Sequence, residues 1–323
     1  MGKDSAIAWT HHTFSPWEGC AKVSEGCRHC YAETRNARFH PRAVSEQGAN
    51  GIVRGEHWGP YAPRLMRSET YWRQPLAWAR AAEKAGERHR VFCASLADVF
   101  EERTDLNDSP ADLRNARARL FRLIEDTPQL DWLLLTKRPQ NMVPMTIARW
   151  WPKWPDNVWA GTSVESQEQT GRIAALFEVP ARVRFLSCEP LLGPLNLRSI
   201  NGGRLDAFTG AWMGRQPKPT DRGVALVIVG GESGPGARPY HIDWARSIIR
   251  QCKDAKVACF HKQIGDNARD EFALKPEWCW ETTTTTERVE EPYMRLRTPT
   301  KQGGEPSEWL EELRVRQMPG DIR

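Results

Sequence analysis

The sequence contains no run of about 18 consecutive apolar residues, which is the length that a membrane-spanning helix needs. It also has no basic segment followed by an apolar one near its start, so we expect no secretory signal and a cytoplasmic location. What it has is 323 residues, of which 40% are hydrophobic and 27% are charged. That composition is typical of a globular protein with one large domain or two ordinary ones.

The sequence also lacks the density of cysteine that a disulfide scaffold needs, with eight in the whole chain. Clustered cysteines in a reducing compartment indicate a metal or a reactive site, whereas scattered ones are usually small buried residues. Cys20, Cys27 and Cys30 are clustered. The scattered cysteines are Cys93, Cys188, Cys252, Cys259 and Cys279. The sequence therefore predicts a metal or reactive site near residues 20–30.

The excess of positive charge is small, because the formal net charge is +5 and the isoelectric point lies near 8.8. A mildly basic chain is compatible with a polyanionic partner but is weak support for one. Arginines recur between residues 35 and 67, and such a region would suit the phosphates of a nucleic acid.

Apolar runs alternate with helical patterns after the first forty residues. The runs lie at 90–92, 132–135, 158–161, 183–186, 224–229 and 257–260, and a further strand is predicted near 7–9. Their continuity is typical of a parallel sheet covered on both faces. Helical patterns lie at 109–124, 167–177 and 243–255. This alternation predicts right-handed βαβ units and an α/β fold, either a full or partial (β/α) barrel or a doubly wound open sheet.

Two loops and a tail interrupt this alternation. The segment 41–63 is rich in glycine, proline and arginine, and residues 196–222 form a polar insertion between two strands. We expect residues 1–271 to form the barrel and residues 272–323 to form a C-terminal extension packed on it. A short helix is expected within 309–316.

The loop at 19–33 carries three thiols in a C-x6-C-x2-C pattern. Soft thiolates select zinc, copper(I) or iron–sulfur clusters. A structural zinc site would need a fourth ligand, for which His11, His12 and His29 are candidates. A [4Fe–4S] cluster held by three cysteines would instead keep one iron open for a cofactor.

The segment at 27–32, Cys-Arg-His-Cys-Tyr-Ala, is similar to the second half of the radical S-adenosylmethionine (SAM) signature. The first spacing departs from that signature, because six residues rather than the usual ~3 separate the first two cysteines. The whole chain resembles a largely phage-borne three-cysteine family assigned to the radical SAM group. The segments that carry this resemblance lie at 19–33, 135–139, 161–165, 185–192, 229–239, 262–265 and 308–316.

The resemblance implies two cofactors. A [4Fe–4S] cluster would be held by Cys20, Cys27 and Cys30, and SAM would bind at its open iron. His29 and Tyr31 would flank the cluster and the adenine. An external donor of the flavodoxin or ferredoxin type would supply one electron, and the 5′-deoxyadenosyl radical would abstract hydrogen from a substrate.

Polar residues follow the predicted strands, at the strand ends that hold the active site in β/α barrels. The residues predicted to contact the cofactors are His29, Tyr31, Ser95, Asp98, Lys137, Arg138, Ser163 and Glu165. From their charge, Lys137 or Arg138 suits the SAM carboxylate. By resemblance to radical SAM barrels, Ser163 or Glu165 suits the ribose hydroxyls. The residues assigned to the substrate side are Cys188, Glu189, Glu232 and Lys262. Cys188 could donate a hydrogen atom to a product radical, and the alternative, which we favour, is a small buried residue.

The predicted activity is a radical SAM reaction, with a rearrangement (isomerase) or another base-modifying reaction as its class. Resemblance to a phage-borne family suggests modified thymine in phage DNA as the substrate, and the host cytoplasm as the location. A small molecule or a peptide would fit the same barrel. The alternative from another class is a nucleic-acid-binding protein with structural zinc and no catalytic activity.

Overall fold

The structure is a computed structural model that describes residues 5, 7–40, 56–103, 110–214, 222–270, 285–288, 294–297 and 303–320. Three parts of the sequence predictions lie outside these ranges. They are residues 41–55 of the first loop, residues 215–221 of the insertion, and most of the tail between 271 and 302, which includes Cys279.

The described residues form short strands and helices in alternation. The strands are β1 (His12–Phe14), β2 (Trp17–Glu18), β3 (Leu65–Met66), β4 (His89–Cys93), β5 (Leu130–Thr136), β6 (Val158–Ser163), β7 (Val183–Cys188), β8 (Leu226–Gly230), β9 (Tyr240–His241), β10 (Ala258–Gln263), β11 (Ala268–Asp270), β12 (Thr285–Arg288) and β13 (Met294–Arg297). The helices are α1 (Tyr31–Phe39), α2 (Glu69–Trp72), α3 (Gln74–Ala85), α4 (Pro110–Glu125), α5 (Met142–Trp150), α6 (Gly171–Phe177) and α7 (Ile242–Ala255).

The main sheet has seven strands in the order β1-β4-β5-β6-β7-β8-β10. Each strand therefore lies beside the next strand of this sheet along the chain. A doubly wound sheet would instead reverse its strand order at a switch point. The two edge strands, β1 and β10, do not pair with each other in the described part of the chain. The fold is accordingly mixed α/β with a partial (β/α) barrel. This confirms the predicted α/β class and excludes the doubly wound alternative.

The chain divides into two compact units, Met1–Gly161 with Val179–Arg182, and Thr162–Glu178 with Val183–Arg323. In the first unit, β1, β4 and β5 run parallel, with Phe14 beside Cys93 and Cys93 beside Leu134. Phe14 and Trp132 are fully buried and meet edge to face, with their ring centroids 5.7 Å apart. The antiparallel pair β2–β3 completes this unit's described strands.

In the second unit, β7, β8 and β10 run parallel, and α7 packs against β8 and β10. The buried face of α7 consists of Ile242, Ala245, Ile248 and Cys252 at helical spacing. A second sheet has the order β12-β13-β11-β9. The division of the chain at residue 271 stays a prediction.

Two local predictions were wrong. Residues 7–9 form a turn, and the first strand begins at His12. Hydropathy missed this strand because it opens with the polar but buried His12 and Thr13. The expected short helix within 309–316 is the single 3-10 turn Glu311–Leu313. The helical prediction at 167–177 is confirmed, with a 3-10 turn at its start followed by α6. No helix in the described ranges combines the length and apolarity that a membrane crossing requires.

Candidate functional site

The three clustered cysteines lie in the first unit, on the loop that joins β2 to α1. Cys27 ends a 3-10 turn, and Cys30 is the residue that caps the N-terminus of α1. Cys20 and Cys30 pack against one apolar cluster made of Ala32, Trp58 and Leu96. All three thiols are free and half-buried. The fold therefore brings at least two of the predicted ligands to one surface.

Gly19 fixes the course of the chain into Cys20. Its φ of +118° lies in the region that favours glycine, and a Cβ there would stand 2.2 Å from the carbonyl oxygen of His57. The Gly19 N–H donates to Leu96 O at 3.0 Å, and the Cys20 carbonyl accepts from the Gly59 N–H at 2.9 Å. Cys20 is thus held from both sides by main-chain hydrogen bonds.

The environment of the Cys20 and Cys30 thiols raises their pKa and favours the protonated forms in the absence of a bound cation. Burial raises the pKa of Cys20 far above its ordinary value, and the Glu101 carboxylate adds to the rise while Arg138 opposes it. Burial also raises the pKa of Cys30. The N–H groups of Glu33 and Ala32, which point at its sulfur, oppose this rise. A metal centre would supply the missing positive charge and release these protons on binding.

The number of thiols on this loop bears on the kind of metal centre that it could hold. Among the described residues, only His40, Glu56 and His57 have ligand atoms that all lie within 4.8 Å of one another. The three cysteines do not form such a group. In an iron–sulfur cluster each cysteine binds a different iron, and the sulfurs stand farther apart. Three thiols suit a cluster that keeps one iron open, whereas a structural zinc site needs a fourth protein ligand.

Two of the three histidines proposed as a fourth zinc ligand already have other contacts. The Nδ1 atom of His11 accepts from the Arg90 N–H at 2.8 Å. His12 is buried in β1, where its ring stacks on Trp78 with the centroids 4.4 Å apart. His29 is exposed on the loop itself.

Arg138, which follows β5, is directed at the cysteine loop. Its Nη1 atom lies 3.7 Å from Cys20 Sγ and 2.8 Å from Asp98 Oδ2, and its Nη2 atom donates to Ala21 O at 2.9 Å. Asp98 also accepts from the Thr136 hydroxyl at 2.6 Å. Asp98 and Arg138 were both predicted from sequence, and the structure brings them together beside Cys20.

Lys137 and Tyr31 lie around the same loop. The Lys137 N–H donates to Asp98 Oδ2 at 3.2 Å. The Lys137 ammonium is near enough to Cys30 to oppose part of the rise in pKa that burial causes. The Tyr31 hydroxyl donates to the main-chain oxygen of Ser95 at 2.7 Å. Ser95 therefore takes part through its carbonyl, while its side chain is buried.

Sequence reasoning missed Glu101 and Arg64. Glu101 accepts two hydrogen bonds from Arg64, at 2.9 and 2.8 Å, and one from the Ala21 N–H at 3.0 Å. The Arg64 side chain has no exposed surface and that of Glu101 is 2% exposed. The available signal was a glutamate just after the buried residues Val99 and Phe100.

The remaining predicted residues lie in the second unit and form separate ion pairs. Arg172 donates to Glu165 Oε2 at 2.7 Å and to the carbonyl of Ser163 at 3.0 Å. Arg238 holds both oxygens of Glu232, at 2.6 and 3.0 Å. Each pair links a glutamate that follows a strand to an arginine a few residues farther along the chain.

Glu189, Lys262 and Gln263 form the other group of the second unit. Glu189 Oε1 accepts from the Lys262 ammonium and, at 3.2 Å, from Gln263 Nε2, which also donates to Gly231 O at 2.9 Å. A Cβ on Gly231 would stand 2.3 Å from Ile264 O, so a larger residue would break this arrangement. Cys188 is fully buried in β7, and burial raises the pKa of its thiol. Its role as a hydrogen-atom donor stays a prediction.

Comparison with known proteins places the chain in a family. A family model described as "Protein of unknown function (DUF5131)" matches residues 4–312. Among solved structures, the chain is similar to spore photoproduct lyase complexed with dinucleoside spore photoproduct, with 12% identity and a TM-score of 0.42, over 92% of this chain and 71% of that one. No curated protein matches the chain. The chain belongs to the DUF5131 family of proteins of unknown function.

Proposed function

We propose that the protein is a radical SAM enzyme whose [4Fe–4S] cluster is held by Cys20, Cys27 and Cys30. The observation that carries the proposal is the cysteine loop itself. Three free thiols lie on one loop, and the side chain of Arg138 reaches the sulfur of one of them, Cys20. The sequence resemblance to radical SAM proteins supports the same assignment.

When bound, the cluster and SAM supply one-electron cleavage of the sulfonium C–S bond and the hydrogen abstraction that follows. The protein's own residues orient and insulate this chemistry. Arg138 holds the main chain of Ala21 and places an N–H near the Cys20 sulfur. A donor near a ligand sulfur raises the reduction potential of a cluster. Lys137, near Cys30, is the cation best placed to bind the SAM carboxylate.

Arg138 is a positioning residue in this proposal. Its guanidinium is buried and already engaged by Asp98, so it orders the loop instead of meeting SAM. Tyr31 lies half-exposed beside Ser95, where its ring would line the cofactor side of the loop. The electron donor would be an external flavodoxin or ferredoxin.

Anaerobic reconstitution tests the proposal directly. The full-length protein is loaded with iron and sulfide, mixed with SAM and dithionite, and assayed for 5′-deoxyadenosine. About four irons per chain and dithionite-dependent 5′-deoxyadenosine would support the proposal. The matched control is the triple variant Cys20→Ala, Cys27→Ala, Cys30→Ala. One zinc per chain, with no iron–sulfur absorbance after reconstitution, would contradict it and favour a nucleic-acid-binding protein.

We further propose a modified pyrimidine in DNA as the substrate, with rearrangement of a substituted thymine as the reaction. The net charge of +5 supports a polyanionic partner, and a base inside a duplex would have to be flipped out to be reached. Binding of modified phage-type DNA is measured at two salt concentrations. Binding that weakens with salt is expected. No binding at low salt, or no salt dependence, would favour a small molecule or a peptide.

A further inference from the structure

A group of metal-ligand side chains lies in the first unit, apart from the three cysteines. It consists of His40, directly after α1, together with Glu56 and His57. One ligand atom from each residue lies within 4.8 Å of the others. His57 is buried, His40 is half-buried and Glu56 is exposed. The group therefore has a buried side and a side that water reaches.

The ring of His57 is oriented by its main-chain surroundings. Its Nδ1 atom lies 3.1 Å from the carbonyl oxygen of Pro63. Because a carbonyl only accepts, Nδ1 carries the hydrogen, and the lone pair is on Nε2. Nε2 lies 3.9 Å from a carboxylate oxygen of Glu56. A histidine held through one nitrogen by a carbonyl, with the other turned to a carboxylate, is typical of metal sites.

Main-chain hydrogen bonds hold the three residues in this arrangement. The Glu56 N–H donates to the His40 carbonyl at 2.8 Å, and the His40 N–H donates to Asn36 O at 2.7 Å. The His57 N–H donates to the side-chain oxygen of Asn36 at 3.1 Å. Asn36 is fully buried and donates in turn to Glu18 at 3.1 Å. The fold thus positions the main chain of all three residues.

We infer that His40, Glu56 and His57 bind one divalent transition-metal ion, with zinc as the ion that this donor set fits. Two imidazoles and one carboxylate suit zinc, whereas calcium and magnesium prefer oxygen ligands alone. A water molecule would complete the tetrahedron on the exposed side of Glu56. The site is separate from the three cysteines and does not rest on the proposed radical SAM activity.

The ion would fasten two segments that support the cysteine loop. His40 ends the helix that begins after Cys30, while His57 presents its carbonyl oxygen to Gly19, next to Cys20. Gly59 then donates to the Cys20 carbonyl. Zinc between His40 and His57 would therefore tie the Cys30 helix to the segment that holds Cys20.

Metal titration of the full-length protein tests this site. Thiols are removed as ligands in the triple variant Cys20→Ser, Cys27→Ser, Cys30→Ser, and the protein is titrated with Co²⁺ and then with Zn²⁺. We expect one Co²⁺ per chain with visible d–d bands and no sulfur-to-metal charge-transfer band, displaced by Zn²⁺. Adding His40→Asn or His57→Asn should weaken Zn²⁺ binding at least about tenfold. Asn at position 57 retains a donor for Pro63 O.

The control variant is His89→Asn, a half-buried histidine of the same unit that hydrogen-bonds to His12. It should bind Zn²⁺ like the parent protein. Equal binding in the His40 and His57 variants, or an equal loss in the His89 variant, would overturn the site. The chain with its cysteines intact gives a second measurement, because Zn²⁺ should raise its melting temperature less after His57→Asn. Cluster formation depends on the cysteines, so either proposal can fail without the other.

Discussion

The two units of the chain use their buried charges differently. In the first unit, Glu101 binds Arg64 and the main chain of Ala21, while Arg138 reaches the sulfur of Cys20. These charges form one network that converges on a single loop. In the second unit, the predicted carboxylates lie in separate pairs, Glu165 with Arg172, Glu189 with Lys262 and Glu232 with Arg238.

The difference shows which unit has its charged side chains arranged in advance around one loop. A converging network holds a loop in one geometry before any ligand arrives, and it costs little to reorganise when charge develops there. A separate ion pair orders only its own two segments. The network of the first unit therefore preorganises the cysteine loop, whereas the paired acids of the second unit would have to exchange partners to bind another molecule.

The largest expected effect is the loss of the cluster, and it should distinguish the clustered cysteines of the first unit from a cysteine of the second. Cys20→Ala, Cys27→Ala or Cys30→Ala should each abolish the brown absorbance of the reconstituted protein and its cleavage of SAM, because a cluster with three ligands cannot lose one. Cys252→Ala, in the second unit, should leave the absorbance intact, since that thiol is buried in α7. Iron analysis near eight per chain would show a second cluster instead, since one [4Fe–4S] cluster holds four.

Removing the charge of Glu101 should have the next largest effect, on stability. Glu101→Gln leaves the fully buried Arg64 without a carboxylate, which costs about 3 kcal/mol of unfolding free energy. Urea unfolding of the protein measures the change. The comparison variant is Glu69→Gln, which breaks an exposed ion pair with Arg119 and should leave the midpoint unchanged. Similar urea midpoints for Glu101→Gln and Glu69→Gln would mean that the pairing of Glu101 with Arg64 does not stabilise the folded protein.

Acid should destabilise the second unit through His261. This ring is fully buried beside the Tyr240 hydroxyl at 2.8 Å, and burial lowers its pKa from 6.5 to about 3. The unfolded chain takes up this proton below about pH 6.5, but the folded chain does not, so the stability is present above that pH and is lost as the pH falls toward 3. We expect a loss of about 2 kcal/mol at about pH 5.

The pH effect is measured as a difference between two proteins, because other groups also titrate. The unfolding free energy is determined by urea at about pH 7 and about pH 5 for the parent and for His261→Gln. The parent should lose more stability than the variant over this interval. Identical slopes would show that His261 does not carry the dependence.

The smallest expected effect compares the cofactor residues of the two units. Lys137→Ala should weaken SAM binding about tenfold, the cost of one charged hydrogen bond, and Ser163→Ala should weaken it less. The cluster absorbance should survive in both. Equilibrium binding of SAM measures the affinities, with the exposed Lys153→Ala as the control. Unchanged affinity in both variants would place SAM elsewhere and refute the strand-end assignment.

Much of the candidate site was predictable because its signals are local. Thiol spacing within residues 19–33 indicated a metal loop, and polar residues after apolar runs identified Asp98 and Arg138 at their strand ends. Both signals depend on neighbours in sequence. The first strand was misplaced for the same reason, since the burial of His12 depends on a distant ring, Trp78.

By itself, the sequence determined the α/β alternation, the three-thiol loop and the chemistry that thiols select. Only the tertiary structure decided that the sheet is open, that Glu101 and Arg64 support the loop, and that His40 meets Glu56 and His57. The physical reason is distance along the chain. Hydrophobic period and ligand spacing act between near neighbours, whereas the partner of a buried charge is chosen by packing between segments far apart in sequence.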